Sequence, residues 1–301
     1  MHLTVAYITS RKEPRSEWFF SSLRREVGSG VLPRVAVVDF NCSRRAFEHG
    51  LGYIGTCFGR NPKPTPWQGA HRLTDHDAFA ASNARNTAIC LAPDGYIAFV
   101  DDVSVLCPGW FMAVKDAMEN KRVVCGAYRK VNELTVDDKG NITHFADHPA
   151  GHDSRWREGV NGPVPCSSSY LFGCSFAAPV ETLLSVNGFD ECLDGLSFED
   201  VCLGLRLEKA GNQLWYDQRM LTFESEEAHH GEGEKFQRHN RPIEGHQDCA
   251  WEMLDWIKNN PPQARGTPDL RKIREDVLRG AQFPMHNGFF IWPDGKNLLG
   301  V

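Results

Sequence analysis

The sequence predicts an α/β protein built on a mostly parallel mixed sheet flanked by helices. One observation is a strand–helix–strand opening: apolar, β-branched runs at residues 3–8 and 34–40 flank an amphipathic stretch at residues 17–27. Another is a helical run at residues 87–92, a Pro-Asp-Gly turn and an apolar strand at residues 96–100 that ends in Asp101 and Asp102. No G-x-G-x-x-G follows the first strand, so the dinucleotide-binding fingerprint is missing from an otherwise crossover-type pattern.

Each element has a local reason. Trp18, Phe19, Leu23 and Val27 share one helical face, and Ser16 is placed as the N-cap. Asp39 stands near the end of the second strand. Residues 41–78, with Pro62, Pro64 and Pro66, read as one long irregular loop. Pro108-Gly109-Trp110 starts a helix that runs to Glu119, and residues 123–128 form a further strand. The polar segment 132–165 reads as a hairpin followed by an excursion over the site. His144, His148 and His152 recur at a spacing of four, but Pro149 and Gly151 argue for a loop there rather than a helical metal face.

Residues 170–179 form a strand, residues 180–186 a short helix, and Asn187-Gly188-Phe189-Asp190-Glu191 a turn. Glu199 and Asp200 open an amphipathic helix that carries Leu203, Leu205 and Leu207 and stops at Gly211. Short strands are expected at residues 214–216 and 220–223. Two C-terminal helical segments are separated by Pro261-Pro262. The stretch 265–279 mixes bases and acids and reads as a solvated helix face.

Composition excludes several classes. A chain of 301 residues with 41% hydrophobic and 24% charged residues can bury a sizeable core. A net charge of -6 and a pI near 6.1 disfavour a general nucleic-acid binder. Ten cysteines include no C-x-x-C pair and several lie in apolar runs, so reduced core thiols in a cytoplasmic protein are expected. Residues 1–10 lack signal-peptide features, and no window has the apolar length of a membrane span.

Asp101 and Asp102 carry the chemistry of this pattern. A strand delivers both carboxylates to the carboxyl edge of a sheet, where open α/β sheets bind ligands. Side by side they repel, and a cation is needed to neutralise them. A hard divalent ion holding a phosphate group answers that need, which points to an enzyme acting on a nucleotide-linked substrate.

In order along residues 3–230, the chain resembles the inverting GT-A glycosyltransferases, in particular family 2. The matching pieces are Thr9-Ser10-Arg11, Asp39, Ala84-Arg85-Asn86, Phe99-Val100-Asp101-Asp102, Pro108-Gly109-Trp110, Asn187–Glu191 and Glu199-Asp200. The resemblance implies a Rossmann-like GT-A domain at residues 1–240, with a nucleotide-sugar half to about residue 110 and an acceptor half to about residue 240. Residues 241–301 lie outside the resemblance and are expected to form a helical extension packed on that domain.

The resemblance also implies roles. Thr9, Arg11 and Asp39 would line the nucleotide pocket, with Asp39 on the base. Arg85 would reach the base or the diphosphate. Asp101 and Asp102 stand for the D-x-D motif, with Mn²⁺ or Mg²⁺ on the diphosphate of a nucleotide sugar, preferably a UDP-sugar. Asp200 would be the general base and Glu199 its neighbour. Relatives often carry a third acid where this chain has Val103. Metal ligation then falls on Asp102 and a later residue, His229 or His230 before Glu226 or Glu227.

The acceptor stays open: a glycan, a small molecule, a protein or a modified nucleic-acid base. Two other functions fit the same pattern, a nucleotidyltransferase and a non-catalytic nucleotide- or sugar-binding module. The glycine-free Thr9-Ser10-Arg11-Lys12 counts against the first, and Glu199-Asp200 counts against the second.

Overall fold

The computed structural model describes residues 2–9, 11, 13–30, 33–39, 57–60, 80–152, 160, 162–194, 198–226, 228 and 249–278. Its strands are β1 (His2–Thr9), β2 (Arg34–Asp39), β3 (Cys57–Arg60), β4 (Gly95–Asp101) and β5 (Ser104–Leu106), then β6 (Val123–Val136), β7 (Ile142–His152), β8 (Val164–Cys166), β9 (Ser175–Pro179) and β10 (Leu214–Ser225). Its helices are α1 (Ser16–Val27), α2 (Ala81–Leu91), α3 (Trp110–Glu119), α4 (Val180–Ser185), α5 (Glu199–Lys209), α6 (Cys249–Asn259) and α7 (Leu270–Leu278).

Among the described residues the strands form one ten-stranded mixed sheet, ordered β3-β2-β1-β4-β9-β6-β10-β5, with β7 paired to β6 and β8 to β10. The first four strands are parallel to one another, and β10 runs parallel to β6. Strand β9 is antiparallel to both β4 and β6 and so joins the two parallel groups.

Strand alternation sorts the core onto two faces. Val5, Tyr7, Val35, Val37, Ala98 and Val100 pack against α1 and α3. Ala6, Ile8, Ala36, Val38, Ile97 and Phe99 face α2, α4, α5 and α7. Burial on both faces explains why these strands read as continuous apolar runs.

Several expectations change. Cys57–Arg60, inside the expected irregular loop, is a strand that extends the parallel edge beyond β2. The strand expected at residues 170–179 begins only at Ser175, after a 3₁₀ turn at Ser168–Tyr170. Strand β10 is continuous where two short strands were expected, with an irregularity between Tyr216 and Leu221. Ser16 is the first helical residue rather than the cap, which is Arg15 in the left-handed region at φ 53°. The three spaced histidines lie in strand β7, not in a loop, and His144 contacts Glu133 at 3.2 Å.

The C-terminal helices pack on the sheet domain through apolar residues, Met253 and Ile257 of α6 and Leu270 and Val277 of α7, and polar contacts fix the segment around α7. Arg274, expected on a solvated face, is buried and donates to the Ala92 carbonyl and to Asp94. Asp190 accepts from the Arg265 and Gly266 amides at 2.7 and 2.9 Å. Asn187 accepts from Leu270 N–H at 2.9 Å and donates to the carbonyls of Thr267 and Pro268. The Asn187–Glu191 turn therefore clasps the C-terminal segment. It is held from below by Asn86, which exchanges two hydrogen bonds with the Phe189 backbone and donates to Glu191. Gly188 sits at φ 68°, and a Cβ there would lie 2.3 Å from Asn86 Oδ1, so only glycine fits the clasp.

Candidate active site

The carboxyl ends of the parallel strands gather the expected donor-side residues. In register, Thr9 of β1 lies beside Asp39 of β2, and Ile8 beside Asp101 of β4. Thr9 Oγ1 donates to Asp102 Oδ2 at 2.7 Å, and Arg11 Nε donates to Asp102 Oδ1 at 3.0 Å. The Arg11 amide donates to Thr9 Oγ1 at 3.1 Å, which fixes the hydroxyl between the two. Burial pushes the Asp102 carboxyl above its ordinary value, and Arg11 and Thr9 hold that shift back.

Asp101 is paired differently. Arg85, on α2, reaches both of its oxygens with Nη2 at 3.2 Å and Glu199 Oε1 with Nη1 at 2.9 Å. One buried guanidinium thus joins the acid at the end of β4 to the acid that opens α5. It also lies over the Phe189 ring, 5.5 Å from its centroid. Burial acts to lower the Arg85 pKa, but Asp101, Glu199 and Asp200 together raise it above its ordinary value. Gly173 makes room for this: a Cβ there would stand 2.2 Å from the Arg85 guanidinium carbon. Nothing in the sequence around Gly173 signals that role.

Helix α2 starts without a local cap. Asp194, far along the chain, accepts from the Ser82 and Asn83 amides at 2.7 and 3.2 Å and supplies the missing carboxylate. The helix that carries Arg85 is thereby tied to the segment leading into α5.

At the start of α5, Asp200 accepts from the Val201 amide at 2.7 Å and also takes a hydrogen bond from the Gly173 backbone. Burial, then the neighbouring Glu199 charge, push its carboxyl up to about 6, against the lowering pull of Arg85. Phe198, just before this pair, has φ 70° and is 52% exposed. A bulky residue in the left-handed region is an outlier, and such strain gathers at functional sites. Sequence periodicity gives no sign of it.

A further acid, Glu224, was also missed. It lies on β10 opposite Ser104 of β5, and Lys130 is 4.0 Å away. Burial, with added repulsion from Asp101 and Asp102, pushes its carboxyl up to about 7 against the pull of Lys130. Its neighbour Glu226 pairs with the same lysine at 3.0 Å. His229, His230 and Glu227 lie outside the described residues.

The fit of a divalent ion can be judged from these contacts. Both Asp102 oxygens are engaged, and both Asp101 oxygens face Arg85. Among the described residues, no group of three His, Cys, Asp or Glu side chains converges as a metal site would require. Val103, where relatives often place a third acid, is fully buried at φ 51°. Its amide donates to Pro14 O and its carbonyl accepts from Ser225 N–H, so this position faces the core. A cation on Asp102 would have to compete with Arg11 and Thr9 for the same carboxylate. The described residues do not fit the expected Mn²⁺ or Mg²⁺ as they stand.

No family model and no curated protein matches this sequence. Solved structures do. S. aureus TarS superposes with a TM-score of 0.56 at 12% identity, covering 95% of this chain and 44% of that one. The structure of S. aureus TarS 1-349 gives a TM-score of 0.51 at 14% identity, covering 99% of this chain and 96% of that one. This chain therefore spans less than half of the longer TarS chain. The fold is the GT-A glycosyltransferase fold. Among the described residues, no helix is long and apolar enough to cross a membrane.

Proposed function

We propose that this chain is an inverting glycosyltransferase that moves a sugar from a nucleotide-diphosphate donor, preferably a UDP-sugar, to an acceptor hydroxyl. One observation carries the reading. Arg85 links Asp101, at the carboxyl edge where the sheet binds ligands, to the Glu199-Asp200 pair. The carboxylate at the sheet edge and the carboxylate pair that opens α5 are thus held one guanidinium apart, which sets a proton acceptor beside the edge where a donor would lie.

In this mechanism Asp39 and Thr9, side by side at the strand ends, line the pocket for base and ribose. Asp200 accepts the acceptor's hydroxyl proton as the oxygen attacks the anomeric carbon and the nucleoside diphosphate leaves. Its position near pH 6 suits a base that is ionised at neutral pH yet retains proton affinity. Glu199 and Arg85 act as positioning residues that orient the base and set its charge. The exposed Phe198 ring offers the acceptor a flat apolar face next to the base. A cation remains a proposal that the described donor set does not favour, and no step here passes through one.

The test is donor hydrolysis by the full chain across UDP-glucose, UDP-galactose and UDP-N-acetylglucosamine, with and without candidate acceptors. Slow release of UDP that disappears in Asp200→Asn supports the reading. Nucleotide binding without turnover under any acceptor indicates a binding module. Consumption of UTP with a sugar 1-phosphate indicates a nucleotidyltransferase.

A further inference from the structure

A departing nucleoside diphosphate is highly charged and needs positive charge fixed at the carboxyl edge of the sheet. A divalent ion and an arginine are alternative ways of supplying it. At this edge each acid of the adjacent pair already has a guanidinium: Arg11 on Asp102 at 3.0 Å and Arg85 on Asp101 at 3.2 Å. Both arginines are buried, at 8% and 3% exposure, so solvent does little to screen them. The nearby Glu224 has Lys130 beside it.

We propose that Arg11 and Arg85 stand in for a divalent cation, so that this chain binds nucleoside diphosphates independently of Mn²⁺ and Mg²⁺. The proposal rests on the donor-site reading given above. Asp101 and Asp102 then act as anchors. Each carboxylate fixes a guanidinium at the strand ends, and the Thr9 hydroxyl locks the Asp102 oxygen that Arg11 leaves over. Arg11 lies in the connection that follows β1, two residues beyond Thr9, whose register partner is Asp39, and is the cation placed to meet a diphosphate at that edge. Arg85 lies deeper, between Asp101 and Glu199, and contributes field rather than contact. Guanidinium suits the task, since it is always charged and its planar fork matches phosphate oxygens.

Three features that would favour a metal are each turned to another use. Each Asp102 oxygen already accepts one hydrogen bond, from Thr9 on one side and Arg11 on the other. The position after the pair, Val103, is directed into the core by a left-handed backbone. The nearby acid on β10 has Lys130 within ion-pair distance.

Isothermal titration of the full chain with UDP, GDP, CDP, dTDP and ADP, in EDTA and again with saturating Mn²⁺, tests this. The expected result is at least one diphosphate that binds with affinities agreeing to within about threefold in the two buffers. A gain of about tenfold or more with Mn²⁺ overturns the proposal and leaves the glycosyltransferase reading intact. Failure of every diphosphate to bind in either buffer overturns the donor-site reading itself. Arg11→Met is expected to lose about tenfold or more in affinity in both buffers, with Arg11→Lys in between. Unchanged affinity in a folded Arg11→Met sinks the proposal. Mn²⁺ without nucleotide is expected to keep its free-ion paramagnetic resonance signal in the presence of protein. Loss of that signal that Asp102→Asn restores also overturns it.

Discussion

Asp102, buried, and Asp200, half-buried, both stand at the ends of regular elements, yet their surroundings differ. Asp102 has a hydroxyl on one oxygen and a guanidinium on the other. Asp200 has Glu199 beside it and must share Arg85 with Glu199 and Asp101. One end of the site balances its negative charge and the other concentrates it. A balanced carboxylate can orient a cation, and a crowded one can take a proton. The two ends differ less in which residues they use than in how many cations each acid commands.

The largest effect expected from breaking this comparison is on catalysis. Asp200→Asn keeps the shape but cannot accept a proton. Its kcat for donor hydrolysis should fall by roughly 10²–10⁴-fold while UDP affinity measured by titration stays near wild type. An equal loss of affinity would place Asp200 in binding instead.

Next is the bridge between the two ends. Gly173→Ala puts a methyl where Arg85 lies and should destabilise the protein by about 1–3 kcal/mol, read from denaturant unfolding. A neutral result would mean that the guanidinium can shift without cost.

A smaller effect is expected from pH. Donor turnover should rise with pH through about 6 as Asp200 ionises. Stability should run the opposite way. Asp200 is raised above its unfolded value, so the folded state holds the proton more tightly, and ionisation as pH rises through about 6 weakens the fold. Asp200→Asn should therefore melt about 2–4 °C higher than wild type at pH 8, with the gap closing as pH falls to 4. A gap that widens on acidification would reverse this assignment.

Much of the N-terminal half of the sheet was legible in the sequence because its strands are buried on both faces. Residues 3–8, 34–40 and 96–100 are continuous apolar runs, and each is a strand ending at the site. Strand β6 was legible only over its first part, where burial is continuous, and its extension alternates with solvent. Strands β3 and β5, of four and three residues, are too short to carry a period. The acids were found by position, but their partners were not. Arg85 bridging Asp101 and Glu199, Asp194 capping α2 and Gly173 opening space are contacts between distant residues, and no local pattern encodes them. Val103 shows the opposite limit. Reading it as a missing acid assumed an outward side chain, and its backbone turns it inward.

The clasp at Asn187–Glu191 has a consequence for how the molecule opens. Asn86 holds it from α2, while Asp190, Asn187 and Thr267 tie it to the start of α7. Asp194, a few residues further along, caps the helix that carries Arg85. The chain leading into the Asp200 helix and the segment 264–270 cannot come apart separately without stranding buried amides. Their protected protons should exchange with deuterium as one cooperative unit, so that a fluctuation releasing the C-terminal helix also loosens the helix that carries Arg85.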